Sequence, residues 1–455
     1  MTESVPPQRP EPRDEPMSAD KRTIVIAAVA MVALVAVGFV SASFFTTSAC
    51  AVVEPSLVDG AVAGADAEAV VDEVFDDAES ALTAIAALED AIGPLVAAAD
   101  VSGATGVTSS PVGPVATGPT TTSMSLENAS VVAAAELEAP HVVGDGVELF
   151  ALAIANDLTG QVDAIYPLNM QLDDSRDCFD TASIGLPLAF YLDAGDDQLL
   201  LLRVDEDGGE PDLELRDTAE GALWRMELET PVAQPGVLAE RLTAGLGDDI
   251  AVLAHRTTPD DESAVLTGVD RSDGSSLWTV TRDDLGAVLT DEADRLIVRD
   301  VGAEVALVSV HPDSAVGESN AASEPDPDDA TLLAVSLDDG AVLFDVPLSE
   351  PIVDAVMVGD QARVATLDDD GVSVHAAALA RIDTLHSVAE AEQARLLAID
   401  DDTTIVVADT QVLIDADQVA PVDVEVGALD VASDESTVSV LLGDEDASVV
   451  VTFTR

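Results

Sequence analysis

The sequence is poor in positive charge. Its 455 residues include 18 Lys and Arg, of which only Lys21 is a lysine, against 88 Asp and Glu, and the formal net charge is −70. Binding to nucleic acid or to anionic lipid headgroups requires cations that neutralise phosphate groups. The composition therefore excludes a nucleic-acid-binding function. It does not indicate disorder, because hydrophobic residues make up 48% of the chain and are sufficient for a large packed core.

Residues that support catalysis or metal binding are also scarce. No Gly-x-Ser-x-Gly elbow, P-loop or dinucleotide-binding fingerprint occurs in a supporting context. Two acidic runs, Asp368–Gly371 and Asp400–Asp402, offer oxygen ligands for Ca²⁺ but lack EF-hand spacing, so solvated turns are the simpler interpretation. The histidines lack metal-ligand spacing; they are His141, His255, His311, His375 and His386. The sequence thus predicts no catalytic, cofactor or metal site.

One uncharged run is long enough to cross a bilayer. Residues 1–22 are rich in Pro, Glu and Arg and predict a disordered tail, which ends in the basic pair Lys21-Arg22. Residues 23–45 follow, and the 22 residues from Ile24 to Phe45 carry no charge. As a helix they span roughly 33 Å, enough for a hydrocarbon core of ~30 Å. The positive-inside rule then predicts a single-pass cell-membrane protein with a cytoplasmic N-terminus and an extracytoplasmic remainder.

Two alternatives to a retained anchor stay open. Ala49-Cys50-Ala51 has the small-x-small pattern of a signal-peptide cleavage site, although the apolar run is longer than the usual 7–15 residues of a signal peptide. Ser48-Ala49-Cys50 is similar to a lipoprotein box, but Thr47 stands where an aliphatic residue is usual. Cleavage of the chain or lipidation of Cys50 would replace the spanning helix.

A helical stalk and a linker are predicted next. In residues 46–100, Val71, Phe75, Ala78, Leu82 and Ile85 line one helical face, and Gly93-Pro94 should kink or end the helix. A short coiled coil is the alternative to packing on the same chain. Residues 101–124 are rich in Gly, Pro, Thr and Ser and predict an extended linker. The domain boundary is therefore expected before a globular region at 125–455.

A hairpin recurs in the region 125–455. The stretch Leu332–Phe344, LLAVSLDDGAVLF, combines an apolar strand, a tight turn and a second strand that reaches an aromatic residue. Leu213–Trp224 and Leu266–Trp278 have the same form, and Asp157–Gly160 belongs to an eroded copy. The turn glycine supplies a positive φ, and the aromatic is expected to pack between neighbouring units. The repeat residues are Gly221, Trp224, Gly274, Trp278, Gly340 and Phe344. The recurrence predicts an all-β repeat protein, a β-propeller.

These hairpins resemble the repeats of the PQQ-like (quinoprotein-dehydrogenase-like) β-propellers, in which a strand reaches Ala-Leu-Asp, turns at Thr-Gly and continues to an aliphatic residue and Trp. The spacings from Trp224 to Trp278 and on to Phe344 are 54 and 66 residues, and the longer one contains a loop insertion at His311–Asp329. Counting strand groups from His141 gives about seven blades, with six or eight also compatible.

The cofactor site of that family does not carry over to this chain. The resemblance implies an adjacent cysteine pair, a tryptophan under the cofactor and a bound Ca²⁺. Here the two cysteines, Cys50 and Cys178, are far apart, and both tryptophans occupy repeat positions. No PQQ binding is therefore expected.

The two cysteines predict one disulfide bond. Outside the membrane thiols oxidise, and two cysteines allow a single intramolecular pairing, Cys50 with Cys178. The bond would hold the start of the propeller near the bilayer. A free or lipidated Cys50, or a Cys50–Cys50 bond between two copies, is the alternative.

The sequence favours a binding function over a catalytic one. A rigid, loop-rimmed propeller without a catalytic constellation suits a non-catalytic protein-interaction or scaffolding module, with a protein partner at its face. The alternative is an extracytoplasmic dehydrogenase or hydrolase that uses carboxylates of the central channel. Several buried acids with raised pKa values converging on that channel would favour the enzyme.

Overall fold

The computed structural model describes much of the chain from residue 63 to residue 455. The described ranges are 63–64, 66–75, 78–110, 113–118, 120–126, 130–136, 140–144, 148–156, 161–169, 178–186, 188–195, 197–204, 211–217, 220–228, 242–255, 264–289, 294–311, 330–368, 370–378, 381–400, 402–415, 419–434, 436–443 and 447–455. No helix within these ranges is long and apolar enough to cross a membrane. The predicted tail 1–22, the predicted spanning helix 23–45 and Cys50 lie outside them.

The first described elements are two short strands and two helices. They are β1 (Ala63–Gly64), α1 (Ala67–Val74), α2 (Ala78–Ala91) and β2 (Leu95–Asp100). The helix α2 ends just before Gly93-Pro94, as the sequence predicts. The apolar face of both helices packs on the end of the chain, where Val71 and Leu88 share a core with Phe453. The helices therefore lie against the domain that follows.

Antiparallel four-stranded units make up most of the remaining described chain, and we number them blade 1 to blade 8 in chain order. Blade 1 contains β3 (Gly106–Ser110), β4 (Gly113–Thr117), β5 (Thr120–Ser125) and β6 (Ser130–Glu136). Blade 2 contains β7 (Pro140–Val143), β8 (Glu148–Asn156), β9 (Gln161–Asn169) and β10 (Phe179–Asp180). Blade 3 contains β11 (Leu188–Gly195), β12 (Gln198–Val204), β13 (Asp212–Asp217) and β14 (Gly221–Glu227). Blade 4 contains β15 (Leu242–Leu246), β16 (Ile250–His255), β17 (Ala264–Asp270) and β18 (Ser276–Thr281).

The later blades follow the same plan. A short helix α3 (Arg282–Leu285) and a 3₁₀ turn (Gly286–Val288) lead into blade 5, with β19 (Arg295–Val301), β20 (Val305–His311), β21 (Ala330–Ser336) and β22 (Val342–Leu348). Blade 6 contains β23 (Ile352–Val358), β24 (Gln361–Asp368), β25 (Gly371–Ala378) and β26 (Arg381–Ala389). Blade 7 contains β27 (Arg395–Ala398), β28 (Thr404–Ala408), β29 (Gln411–Asp415) and β30 (Val419–Asp423). Blade 8 contains β31 (Ala428–Ser433), β32 (Thr437–Gly443) and β33 (Ser448–Thr454), and β2 pairs with β33 as its fourth strand.

The blades form a closed ring. From blade 2 to blade 8 the first strands of successive blades contact each other, and β31 of blade 8 contacts β3 of blade 1. Blades 1 and 2 meet through β4 and β7. First strands therefore line the centre and fourth strands lie at the periphery, which is the arrangement of a β-propeller. The sequence prediction of an all-β propeller is confirmed.

Both ends of the described chain meet in blade 8. The strand β2 pairs antiparallel with β33, with Leu95 opposite Phe453 and Asp100 opposite Val449. The ring is thus completed by a strand that comes from far upstream in the sequence. Residues 95–100, predicted as part of a helical stalk, are instead a propeller strand.

The prediction of a linker over residues 101–124 is wrong. This segment holds β3, β4 and most of β5, and Val115 and Ala116 are fully or almost fully buried. The strands are built from Thr, Ser, Val and small residues, whose apolar runs are too short to stand out in the sequence. Gly118 is needed here because an added Cβ would lie 2.5 Å from the carbonyl oxygen of Gly103. The propeller therefore begins before residue 125.

The number of blades follows from this correction. Counting from His141, we divide the described strands into the seven units blade 2 to blade 8, although blades 2 and 3 form one continuous sheet, in which β9 pairs with both β10 and β11. Blade 1, hidden in the supposed linker, makes eight within the described chain. The hydrophobic core is divided among the spaces between neighbouring blades; for example, Leu333 and Val335 of blade 5 share one cluster with Val252 of blade 4.

Candidate functional site

The joint between blades 3 and 4 is built around Trp224. This residue lies on β14, the outer strand of blade 3, and its indole Nε1 donates a hydrogen bond of 2.7 Å to the carbonyl oxygen of Arg271 in blade 4. Gly274, in the same turn, has φ +74° and lies flat against the ring, where an added Cβ would come within 2.7 Å of ring atoms. The guanidinium of Arg271 adds hydrogen bonds to Gln198, Gly247 and Gly195.

The joint between blades 4 and 5 repeats this geometry. The Nε1 of Trp278 donates a hydrogen bond of 2.7 Å to the carbonyl oxygen of Leu337. Gly340 also has φ +74°, and an added Cβ would come within 2.7 Å of a ring atom of Trp278. In both joints the acceptor carbonyl belongs to the residue three positions before the turn glycine. The structure therefore brings Trp224 to Gly274 and Trp278 to Gly340.

The two remaining repeat residues lie in less complete joints. Phe344 is half-buried beside the core shared by blades 5 and 6, which includes Ala355 and Val364, and its ring has no N–H to donate. Gly221 has φ +86°, but the nearest atom to an added Cβ is an Arg216 nitrogen at 4.0 Å. No aromatic ring lies against Gly221 within the described residues.

Three leucines at one repeat position are exposed. Within the described chain only four large hydrophobic side chains are exposed: Leu223 (37%), Leu277 (51%), Leu343 (49%) and Ile382 (37%). Each of the three leucines directly precedes the aromatic of its hairpin and is the extra residue of a β-bulge on the fourth strand of its blade. We call Leu223, Leu277 and Leu343 the rim leucines. The bulge turns each one outward while the next residue packs inward.

Exposed acidic residues stand close to the rim leucines in the sequence. The exposed acids Glu220, Asp273 and Asp339 each stand directly before the turn glycine of the same hairpin. Arg225, the nearest arginine to Leu223 in the sequence, is bound to the buried Glu214, with Nε 2.6 Å from Oε2. The rim thus combines exposed aliphatic side chains with negative charge.

Acids on the innermost strands bind the neighbouring blade. In four joints an Asp carboxylate accepts a hydrogen bond from a backbone N–H of the adjacent first strand: Asp193 from Leu246 (2.7 Å), Asp300 from Met357 (2.9 Å), Asp354 from Leu396 (2.8 Å) and Asp430 from Val107 (3.0 Å). Each Asp directly follows the extra residue of a β-bulge on its strand. We call these four residues the inner acids. Thr243 has the same role between blades 4 and 5, where its hydroxyl accepts the N–H of Val298.

Burial affects the protonation of the inner acids. It raises the pKa values of Asp300, Asp354 and Asp430, and the N–H donors from the next blade partly oppose that shift. Arg395 lies near Asp430, with Nε 3.6 Å from Oδ1. The sequence reasoning did not find these acids, because four aspartates do not stand out among 88 acidic residues. A bulge preceding each one is visible only in the structure.

Burial changes the protonation of two of the histidines. Burial lowers the pKa values of His255 and His311 to about 4, and His311 also faces Arg299. Among the described residues no group of three or more His, Cys, Asp or Glu side chains is arranged to hold a metal ion. Cys178 is half-buried directly before β10, whereas its predicted partner lies outside the described ranges, so the disulfide stays a prediction.

Comparisons with known proteins give similarity of fold. No protein-family model matches the chain. No curated protein matches it. Similar solved structures include BamB from Moraxella catarrhalis (12% identity, 79% of this chain and 99% of that chain, TM-score 0.48). Others are Sqt1 from Saccharomyces cerevisiae (10%, 78% and 96%, 0.45) and the quinohemoprotein alcohol dehydrogenase ADHIIG from Pseudomonas putida HK5 (8%, 78% and 73%, 0.44). At these identities and TM-scores, none of them transfers a function to this chain.

Proposed function

We propose that this protein is a non-catalytic protein-interaction module. The observation that carries the proposal is the exposure of the rim leucines at one equivalent position on three consecutive blades. Isolated exposed apolar residues are common on protein surfaces and need no explanation. These three leucines differ in that each is the extra residue of a bulge directly before the aromatic of its hairpin. A closed ring with interlocked joints holds such a set in a fixed arrangement, which limits the entropy lost on binding.

The alternative of a carboxylate enzyme has one observation in its favour. Asp300, Asp354 and Asp430 lie on the innermost strands with raised pKa values, a property that catalytic acids share. Each of them, however, accepts a backbone N–H of the neighbouring blade. That bond is a structural use of the carboxylate, so we assign these acids to ring stability rather than to catalysis.

We further propose that the hairpins are PQQ-like repeats without the cofactor site. The support comes from the two equivalent joints, in which an indole N–H and a turn glycine fix neighbouring blades with the same distances. The adjacent cysteine pair and the additional tryptophan that the family uses to bind PQQ are missing from the sequence.

The cellular placement is proposed from the sequence. The charge step across residues 23–45 supports a single-pass anchor that holds the propeller outside the cell membrane. Protease added to intact cells should digest the part beyond Phe45 and spare the tail. Survival of the propeller under these conditions would reverse the topology.

Photo-crosslinking in intact cells tests the interaction function. A photoreactive amino acid is placed at one exposed fourth-strand position in each of blades 4 to 7: Leu277, Leu343, Ile382 and Ala420. We expect a discrete covalent adduct with another protein from at least one of these positions. Absence of adducts at all four positions would oppose the interaction function. A dehydrogenase or hydrolase activity of the purified protein that is lost in Asp300→Asn or Asp354→Asn would favour the enzyme.

A further inference from the structure

We infer that the rim leucines bind an extended, cationic polypeptide segment that carries spaced aliphatic side chains. The inference rests on the proposed function and names the partner's chemistry. The observations behind it are the repeated exposure of Leu223, Leu277 and Leu343 and the exposed acid that precedes each of them in the turn of the same hairpin.

The spacing of the leucines suits an extended chain. Trp224 lies against Gly274, which stands three residues before Leu277, and Trp278 lies against Gly340, three residues before Leu343. Neighbouring rim leucines are therefore on the order of 20 Å apart at most. An extended segment rises by about 3.3 Å per residue and would cover that distance with roughly six residues.

The contacts are expected to come from side chains rather than from strand pairing. β14, β18 and β22 are the outermost strands of their sheets, so their outer edges face away from the blades. A bulge interrupts each strand at the leucine, and Pro347 lacks an N–H in β22. Bulges and proline both oppose the addition of another strand. A partner is therefore expected to bind through contacts with the leucine side chains.

Charge decides between the occupants of this surface. Each rim leucine is close in sequence to exposed acids, including Glu220, Asp273 and Asp339, and β22 adds the exposed Asp345 directly after Phe344. A second copy of this chain would bring another formal charge of −70, and an anionic lipid surface would also be repelled. A basic segment gains attraction instead, and its aliphatic residues cover the leucines.

Peptide binding to the full chain tests this inference. The chain is held in nanodiscs of zwitterionic lipid, and empty nanodiscs serve as the blank. The probe is a thirteen-residue peptide with leucines at its first, seventh and last positions and alternating lysine and serine between them. The matched peptide keeps the lysines and has serine in place of leucine. We expect the leucine peptide to bind at least tenfold more tightly at physiological salt.

Variants of the protein locate the site. Combined Leu223→Ser, Leu277→Ser and Leu343→Ser substitutions should remove the difference between the two peptides and leave the weaker, salt-sensitive binding. Ile382→Ser is the control, because Ile382 is as exposed as Leu223 but is not the extra residue of a bulge. It should bind both peptides as the wild type does. Unchanged thermal unfolding of the variants checks that all of them fold.

Several results would overturn the inference. Equal binding of the two peptides by the wild type, or loss of the preference in the Ile382 variant alone, would contradict a leucine site. Leucine-dependent self-association in sedimentation, or leucine-dependent binding to phosphatidylcholine vesicles, would assign the surface to a second copy or to lipid. Adducts at Ile382 or Ala420 without peptide preference would leave the interaction function standing and remove only this partner.

Discussion

Two regions of the propeller join their blades by different chemistry. Between blades 3, 4 and 5 the outer joints consist of an indole ring on a turn glycine, with one hydrogen bond from Trp224 or Trp278 to a carbonyl oxygen. Between blades 6 and 7 the joint is an ion pair, in which Nε of Arg363 donates to Asp415 and both side chains are almost fully buried. The contact of indole, glycine and carbonyl oxygen itself contains no charged group, although the guanidinium of Arg271 lies in the same joint of blades 3 and 4. The ionic joint of blades 6 and 7 depends on both of its charged partners being present.

Three of the few basic residues of this chain lie at joints between blades. Arg271 donates to carbonyl oxygens of Gly195 and Gly247 in the joint of blades 3 and 4. Arg299 donates to the carbonyl oxygens of Ile352 and Val353 across the joint of blades 5 and 6. Together with Arg363, these residues place positive charge between blades. With 18 basic residues against 88 acidic ones, the surface would be strongly acidic wherever these three arginines lay.

Removing an indole should have the largest effect on stability. Trp278→Ala deletes a buried ring and leaves the carbonyl oxygen of Leu337 without its donor. We expect a loss of about 4 kcal/mol in the free energy of unfolding, measured by urea denaturation. Phe344→Ala, at the equivalent but half-buried position of blade 5, is the control and should cost less. Equal losses of stability at the two positions would mean that the buried indole stabilises its joint no more than the half-buried phenyl ring does.

Breaking the ionic joint should have the next largest effect. Arg363→Met leaves the carboxylate of Asp415 buried without its partner, and we expect a loss of about 3 kcal/mol. The double variant Arg363→Met with Asp415→Leu removes both charges and should recover most of that loss. Urea denaturation of the three proteins at one pH gives the comparison. A double variant as unstable as the single one would show that packing, not the uncompensated charge, dominates this joint.

A smaller effect separates the ring from its hydrogen bond. Trp278→Phe keeps an aromatic ring against Gly340 and removes the indole N–H. The expected loss is about 2 kcal/mol, because the substitution leaves the buried carbonyl oxygen of Leu337 without its donor. The joint between blades 5 and 6, where Phe344 stands naturally, shows that the fold accepts this residue type. A loss as large as that of Trp278→Ala would place the whole contribution in the hydrogen bond.

The parts of the fold that could be predicted from the sequence are local. The hairpin at Leu266–Trp278 joins strand, turn and aromatic within thirteen residues, so each piece supports the others. The pairing of β2 with β33 could not be predicted in this way, because its partners lie about 350 residues apart and neither carries a special residue. Blade 1 was missed for a related reason: Thr and Ser strands have little apolar contrast with a linker.

The residues of the candidate site could be predicted from the sequence, but the exposure of the rim leucines could not. The turn glycines and aromatics were found by their repetition, and the rim leucines stand one position before those aromatics in all three copies. Their exposure could not be inferred, because an aliphatic residue in a strand is normally expected to face the core. The bulge that turns Leu277 outward depends on its pairing with β17, which only the structure shows.

The smallest expected effect concerns the inner acids and the pH. Burial raises the pKa of Asp354, so its carboxylate form is disfavoured in the folded ring relative to the unfolded chain. The contribution of such a group to stability is fully present below the unfolded pKa of about 3.9 and is lost as the pH rises through the folded pKa. Asp354→Asn keeps an oxygen for the N–H of Leu396 and does not ionise. Its stability relative to the wild type should therefore increase as the pH rises above about 4.

A turn aspartate provides the control with the opposite sign. The Ser336 hydroxyl holds the pKa of Asp339 below its usual value, so its contribution is present above the unfolded pKa and is lost as the pH falls. Asp339→Asn should therefore lose stability relative to the wild type as the pH rises toward the unfolded pKa of about 3.9, and the difference should stay level at higher pH, where Asp354→Asn gains stability. Urea midpoints of both variants and the wild type, measured from below about pH 4 to neutral pH, provide the test. Parallel pH profiles for the two variants would show that Asp354 behaves as an ordinary surface carboxylate, and the inner joint between blades 6 and 7 would then be open to water.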